Sequence, residues 1–197
     1  MEILIFAHRK EATHFINELN LKKHPFIFPG LYFNGTQFLL ITGQGIQNTS
    51  VKLAAVLSHF ENKIKNIINL GIAGRTSDLL ETGRIYAVRK VFTEQQINKK
   101  SFTCRTATAK FDCLSMFQPI SSFTFLDFEN NIGLVDMELW AVGWVANFFK
   151  IPFSSFKMVS DDAREKTDKK SIIKKSDFFS SELLLYYRNY YKSETVR

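Results

Sequence analysis

A helix followed at once by a short strand, with acidic residues at both ends, is the feature that most constrains the fold. Residues 135–150 read VDMELWAVGWVANFFK, and apolar side chains recur on one helical face, at Leu139, Val142, Ala146 and Phe149. Pro152 ends this helix. The apolar run 153–159 predicts a buried strand that ends in Ser160, Asp161 and Asp162. Because α/β folds bind ligands near the carboxyl ends of strands, the acids stand where a ligand would lie.

Strand and helix patterns alternate along the rest of the chain. Apolar runs predict strands over residues 2–7, 64–70, 86–92 and 112–117. Asn34-Gly35 between two apolar runs predicts a hairpin over residues 31–42. Helical periodicity predicts helices over 11–21, over 48–60 with Val51, Ala54, Ala55 and Leu57 inward, and over 174–191 with Phe178, Leu183, Leu184 and Tyr187 inward.

This alternation, without a repeat or a linker, predicts one α/β domain over residues 1–197. We expect a three-layer sandwich whose mixed, largely parallel central sheet is flanked by helices. Two glycine-rich turns punctuate it: Gly43-Gln44-Gly45 before a helix, and Gly71-Ile72-Ala73-Gly74 after a strand. Glycines there allow the backbone to turn sharply and to approach a ligand closely.

Composition narrows the class of protein. Of the 197 residues 45% are hydrophobic, which is typical of a globular chain with a sizeable core. No apolar run is long enough to span a bilayer, and the N-terminus is read as a strand rather than a signal peptide. Cys104 and Cys113 match no metal motif, so we expect a reduced, cytoplasmic setting.

The formal net charge of +7 comes partly from cations clustered between Arg164 and Lys175. A nucleic-acid patch and a solvated surface both explain such a cluster. No helix-turn-helix or aromatic-interleaved basic motif accompanies it. We therefore expect no nucleic-acid partner and no membrane partner.

Four motifs in order resemble those of the nucleoside phosphorylase/nucleosidase family. They are the first strand ending near Glu11, Gly-x-Gly before a helix, Gly-Ile-Ala-Gly, and Val-Asp-Met-Glu before a helix whose next strand ends in Ser-Asp. The resemblance covers nearly the whole chain except about residues 93–131. It is strongest to the 5′-methylthioadenosine/S-adenosylhomocysteine nucleosidases and the futalosine hydrolases, and it implies cleavage of a purine nucleoside at its N-glycosidic bond, without metal or organic cofactor.

The resemblance also assigns roles to individual residues. Asp161 corresponds to the acid that protonates the purine at N7, and Glu11 to the base that activates water. Glu138 corresponds to the carboxylate that binds the ribose hydroxyls, and Met137 to the residue packed against the sugar. The substrate-facing backbone corresponds to Gly71, Ile72, Ala73 and Gly74. Asp136 either supports these groups or caps the helix.

Several alternatives remain open at this level. Glu11 in a first loop without glycine favours water as nucleophile, but Arg9, Lys10 and Arg75 could bind phosphate, as in a phosphorylase. A non-catalytic nucleoside-binding protein is a third possibility, because Ile72 replaces a serine of the methylthioadenosine branch and the middle segment is short. Phe117 and Phe123 either stack on the base or pack in the core. Family resemblance further implies a homodimer or a higher oligomer, whose partner subunit would complete the 5′ pocket.

Overall fold

The computed structural model describes residues 1–25, 29–60, 62–93, 100–106, 109–117, 132–165 and 168–191. The strands are β1 (Glu2–Phe6), β2 (Lys22–Lys23), β3 (Leu31–Phe33), β4 (Gln37–Ile41), β5 (Asn66–Arg75), β6 (Ile85–Thr93), β7 (Phe102–Thr103), β8 (Phe111–Ser115), β9 (Ile132–Asp136) and β10 (Phe153–Asp162). The helices are α1 (Thr13–Glu18), α2 (Ile46–His59), α3 (Leu139–Phe149), α4 (Lys169–Lys174) and α5 (Ser176–Tyr186), and a π-helical turn (Tyr187–Tyr191) follows α5.

Strand β5 is the centre of the sheet because it has three partners. It pairs in parallel with β1 and β10, and its last residues, Gly74 and Arg75, pair antiparallel with β9. Through the order β10-β6-β8-β9, the sheet returns to β5 and closes a ring of strands. On the other side of β5 the sheet stays open and continues through β1, β4, β3 and β2.

Helices cover both faces of the sheet, and successive side chains of β1 point to opposite faces and are buried on both. Ile3 and Ile5 point into a core shared with α2 and α3, whereas Leu4 and Phe6 point into a core shared with α1 and α5. A strand buried on both faces is typically apolar at nearly every position. This explains why β1 is recognisable in the sequence as an uninterrupted apolar run.

The predicted mixed sheet flanked by helices is confirmed, and so is the hairpin, formed by antiparallel β3 and β4. Two features differ from the predicted sandwich. Five strand pairings of the described residues are parallel and five antiparallel, so there is no parallel majority. The predicted three-layer sandwich also lacks the closed ring of strands. The ring closes because β9 and β10, which are distant from β5 in the chain, both pair with β5.

Some predicted helix faces are wrong. Val51 of α2 is 62% exposed and Phe178 of α5 is 51% exposed, although both were expected to point inward. Leu53 and Phe179 are buried instead, so each interior face is rotated from the predicted one. No helix in the described part of the chain has the length and apolarity needed to cross a bilayer.

Candidate active site

The Gly71–Gly74 segment lies inside β5 and not in a turn after it, so the expectation of a sharp turn is wrong. Glycine is needed at positions 71 and 74 because a side chain there would crowd neighbouring residues. A Cβ atom on Gly71 would lie 3.2 Å from Oε2 of Glu11, and one on Gly74 would lie 2.9 Å from Cβ of Ala163. Gly74 pairs with Val135 of β9 on one side and with Asp161 of β10 on the other. The three acidic segments singled out in the sequence therefore meet around this half of β5.

Glu11 is buried in the turn between β1 and α1, with only 4% of its surface exposed. Its backbone N–H donates to the His8 carbonyl at 3.2 Å. Burial raises the pKa of Glu11 to about 8; negative charge on Glu138 adds to this rise, and Lys157 opposes it. Near neutral pH the carboxyl group of Glu11 is therefore mostly protonated.

Lys157 is a site residue that the sequence reading missed. It lies in the middle of β10 opposite Gly71, is 2% exposed, and places Nζ 2.7 Å from Oδ2 of Asp136. Burial alone would lower the pKa of Lys157, but adjacent Asp136 raises it and the net change is upward, so the amine stays charged. The available signal was a single lysine inside an apolar strand, since buried lysines are rare unless paired.

Asp136 supports both the buried amine and the start of α3, although Glu138 and not Asp136 is the N-cap residue. Besides pairing with Lys157, its Oδ2 accepts the backbone N–H of Leu139, the first residue of α3, at 3.0 Å, and so satisfies one of the N–H groups left free at the start of the helix. Its Oδ1 accepts the Ser115 hydroxyl at 2.5 Å, and that hydroxyl oxygen accepts the backbone N–H of Trp140 at 2.9 Å. Asp136 thus holds the end of β9, the start of α3 and the buried amine together.

Glu138 is 8% exposed, and its Oε1 accepts the backbone N–H of Gly45 at 2.8 Å. Gly43 and Gly45 have φ angles of +83° and +97°, which explains the Gly-x-Gly pattern before α2. Burial raises the pKa of Glu138 to about 7, Asp136 raises it further, and Lys157 lowers it. Half-buried Met137 lies beside it, with Sδ 2.8 Å from Nε2 of Gln44.

Asp161 follows a β-bulge at Ser160, where the register between β10 and β5 shifts. Bulges redirect side chains and are frequent near active sites. The Ser160 hydroxyl donates to Oδ1 of Asp161 at 2.6 Å. The bulge places Asp161 beside Gly74, at the strand end where Val135 of β9 also pairs.

The remaining candidates are the cations proposed to bind phosphate and the phenylalanines proposed to stack on the base. Arg75 is engaged by Asp162 at 3.1 Å and by the Leu80 carbonyl at 2.9 Å, whereas Arg9 and Lys10 are exposed. Phe117 is 37% exposed, and Phe123 lies outside the described residues. Among the described residues, no cluster of three or more His, Cys, Asp or Glu side chains is arranged to hold a metal ion.

Chemically, the arrangement supplies two buried carboxyl groups that titrate near neutrality, Glu11 and Glu138, with one buried cation between acidic neighbours. Such groups transfer protons efficiently at physiological pH. Asp161, at the end of β10 beside Gly74, provides a further acid. The arrangement suits acid–base chemistry.

Comparison with known proteins gives likeness of structure only. No protein-family model and no curated protein matches the sequence. Among solved structures, the 5′-methylthioadenosine/S-adenosylhomocysteine nucleosidase of Helicobacter pylori, bound to butyl-thio-DADMe-Immucillin-A, aligns with a TM-score of 0.80 at 15% identity over 95% of each chain. The nucleosidase of Chlamydia trachomatis aligns with a TM-score of 0.76 at 18% identity, over 98% of this chain and 97% of that one. The Campylobacter jejuni enzyme gives 0.74 at 15% identity, over 93% and 96%. The chain therefore has the fold of the 5′-methylthioadenosine/S-adenosylhomocysteine nucleosidases.

Proposed function

We propose that the protein is a purine nucleoside N-ribohydrolase, which cleaves the N-glycosidic bond of an adenosine-type nucleoside with water. The observation that carries the proposal is the buried pair of Glu11 and Lys157 beside Gly71, on the strand that also reaches Asp161. The charge of Glu138 is close enough to raise the pKa of Glu11. A protein that only binds nucleosides has no need for a buried acid that titrates near pH 8. The fold shared with nucleosidases supports the same reading.

The reaction requires three separate tasks. As the bond from C1′ to the purine breaks, the base leaves with the electron pair and the ribose becomes a cation. Asp161 gives a proton to the leaving base at N7. Glu11 takes a proton from water, whose hydroxyl adds to C1′. Glu138 accepts hydrogen bonds from the ribose hydroxyls and is held in place by the Gly45 amide.

Glu11 can act as a base only after it loses the proton that burial favours. Developing positive charge on the ribose and the nearby Lys157 amine both favour the ionised form. Lys157 in turn is fixed by Asp136 at 2.7 Å, so its charge stays in one place. We therefore propose that Lys157 stabilises the ionised form of Glu11 inside the protein.

The structural neighbours support a thio-substituted adenosine as the substrate class. A variant of the H. pylori enzyme holds 5′-methylthioadenosine in its active site, and we propose a 5′-alkylthio adenosine as the substrate here too. Phosphorolysis is less well supported, because Arg75 is engaged by Asp162 and the cation of the buried group is paired with Asp136. Two buried free thiols, Cys104 and Cys113, fit a reducing compartment such as the cytoplasm.

We also propose that the protein, with residues 1–197 forming one domain, is a homodimer. Trp144 and Phe148 of α3 are 44% and 77% exposed, and Val51 of the adjoining α2 is 62% exposed. Exposed large apolar side chains on neighbouring helices are typical of a covered interface. Since α3 begins directly after Glu138, a second copy on this face would lie close to the substrate.

Sedimentation analysis tests the dimer. Phe148→Lys should yield a monomer, whereas Leu185→Lys on α5, where the side chain is 52% exposed and lies on the opposite face of the sheet, should leave the dimer intact. A wild-type protein that sediments as a monomer at micromolar concentration would contradict the proposal.

Release of free base tests the activity. The purified protein is incubated with 5′-methylthioadenosine, S-adenosylhomocysteine, futalosine, adenosine and inosine, each with and without phosphate, and free purine is followed by chromatography. We expect release from the alkylthio substrates without phosphate. Release only with phosphate would identify a phosphorylase and remove the base role of Glu11. Binding without release would identify a nucleoside-binding protein.

A further inference from the structure

Asp162, the residue after the proposed acid, forms ion pairs with two arginines. Its Oδ2 lies 3.1 Å from Nη2 of Arg75, and Arg164 donates Nε to Oδ1 at 2.8 Å and Nη2 to Oδ2 at 2.5 Å. The hydrogen bonds from Arg164 lower the pKa of Asp162 to about 2, so the carboxylate stays ionised. The Asp162 side chain is only 10% exposed, whereas Arg75 and Arg164 are 26% and 29% exposed.

Arg164 extends this group by a second contact, with Asp78 in the segment after β5, at 2.5 Å. We call Arg75, Asp78, Asp162 and Arg164 the Asp162 network. Backbone contacts follow the same path, since the Ala163 N–H donates to the Arg75 carbonyl at 2.8 Å. The network therefore fastens the chain just after Asp161 to the end of β5 and to the segment that follows it.

The ladder before Asp161 fixes the direction of the Asp161 side chain less firmly than the network after it. The register of β10 against β5 breaks between Val159 and Asp161, where Ser160 forms the bulge. A bulge leaves one residue outside the regular ladder, so the direction of the next side chain depends on local contacts. After the bulge, pairing resumes at Asp161 with Gly74 and at Asp162 with Arg75, and the ion pair secures the second of these positions.

From this arrangement we propose that Asp162 is a positioning residue, which holds Asp161 where it can deliver a proton to the leaving base. The proposal rests on the proposed function, because it needs Asp161 as the acid. The network contains two cations and two anions. It has no net charge, so it acts through geometry rather than by adding a field at Asp161. A displacement of about 1 Å at a catalytic group costs on the order of 100-fold in rate.

A purely structural role for the network makes a different prediction. If the ion pairs only stabilised the fold, their loss would lower every activity together. If they position the acid, their loss would lower only reactions that need an acid. The 4-nitrophenyl β-D-riboside provides the second substrate, because nitrophenolate leaves without being protonated.

The experiment compares turnover of 5′-methylthioadenosine with turnover of the nitrophenyl riboside. Asp162→Asn should lower kcat for the purine substrate roughly 10- to 100-fold, change KM little, and leave nitrophenyl release within about two-fold of wild type. Arg164→Gln keeps the pair of Arg75 with Asp162, and should show a smaller change with the same substrate dependence. Arg164→Gln replaces Asp162→Asn as the test variant if thermal melting shows that Asp162→Asn folds poorly.

Asp112→Asn is the matched control. Asp112 is buried and forms a comparable ion pair with Arg89, at 2.8 and 2.9 Å, but on β8 and away from Asp161 in the ladder. It should lower the melting temperature without changing the ratio of the two activities.

The outcomes separate the two proposals. If Asp162→Asn and Arg164→Gln keep the wild-type ratio of purine to nitrophenyl turnover, the positioning role is refuted and the proposed function stands. If wild-type protein releases no purine from any nucleoside, the proposed function is refuted, and the positioning role is refuted with it.

Discussion

Replacing Glu11 by glutamine should make the folded protein more stable at alkaline pH and leave it nearly unchanged at pH 5. Burial raises the pKa of Glu11 from 4.5 to about 8. Between these values the folded protein keeps the proton and the unfolded chain loses it. Folding therefore takes up a proton, and stability falls as pH rises through this window. Glutamine resembles the protonated acid and removes the effect.

The size of the effect follows from the pKa change. The difference between 4.5 and about 8 corresponds to at most about 5 kcal/mol, at about 1.4 kcal/mol for each pKa unit. Relaxation and partial water entry reduce this limit, so we expect about 2–5 kcal/mol of relative stabilisation at pH 9. For a chain of this length that is about 5–15 °C in melting temperature.

The assay is thermal unfolding of wild-type protein and Glu11→Gln between pH 5 and 9, in the absence of substrate. The difference between the two melting temperatures cancels groups that titrate alike in both proteins. It should grow steadily with pH and level off above pH 8. A constant difference across this range would show that Glu11 ionises normally in the fold, and would refute the electrostatic account of the site.

Three further substitutions test single roles. Lys157→Met should lower the free energy of unfolding by about 3–5 kcal/mol, because Asp136 is left buried without its partner; urea unfolding should show recovery in the double variant with Asp136→Asn, and no recovery would count against the pair. Glu138→Gln should abolish discrimination between ribosides and 2′-deoxyribosides in kcat/KM, and retained discrimination would exclude Glu138 as the ribose ligand. Asp161→Asn should lower kcat for purine release by roughly two to four orders of magnitude, and near wild-type turnover would refute its role as acid.

The secondary structure of the strands was largely readable from the sequence. An uninterrupted apolar run such as β1 occurs because both faces are buried, and Asn34-Gly35 fits a tight hairpin. Helix faces were harder to assign. In α3 nearly every position is apolar, and in α2 and α5 the exposed Val51 and Phe178 follow the same periodicity as buried neighbours. Apolarity alone does not say whether a face meets the core or a partner.

The sequence by itself predicted most of the long strands and helices in their order, the fold resemblance, and the acids Glu11, Glu138 and Asp161 as candidates, because local patterns and short motifs carry that information. It did not predict β2, β7 or β9. Only the tertiary structure decided that Gly71 and Gly74 serve as space for Glu11 and Ala163. It also revealed Lys157 as the buried partner of Asp136. Whether a charge is buried, and what stands opposite it, depends on strands that are distant in the chain and meet only when the sheet closes around β5.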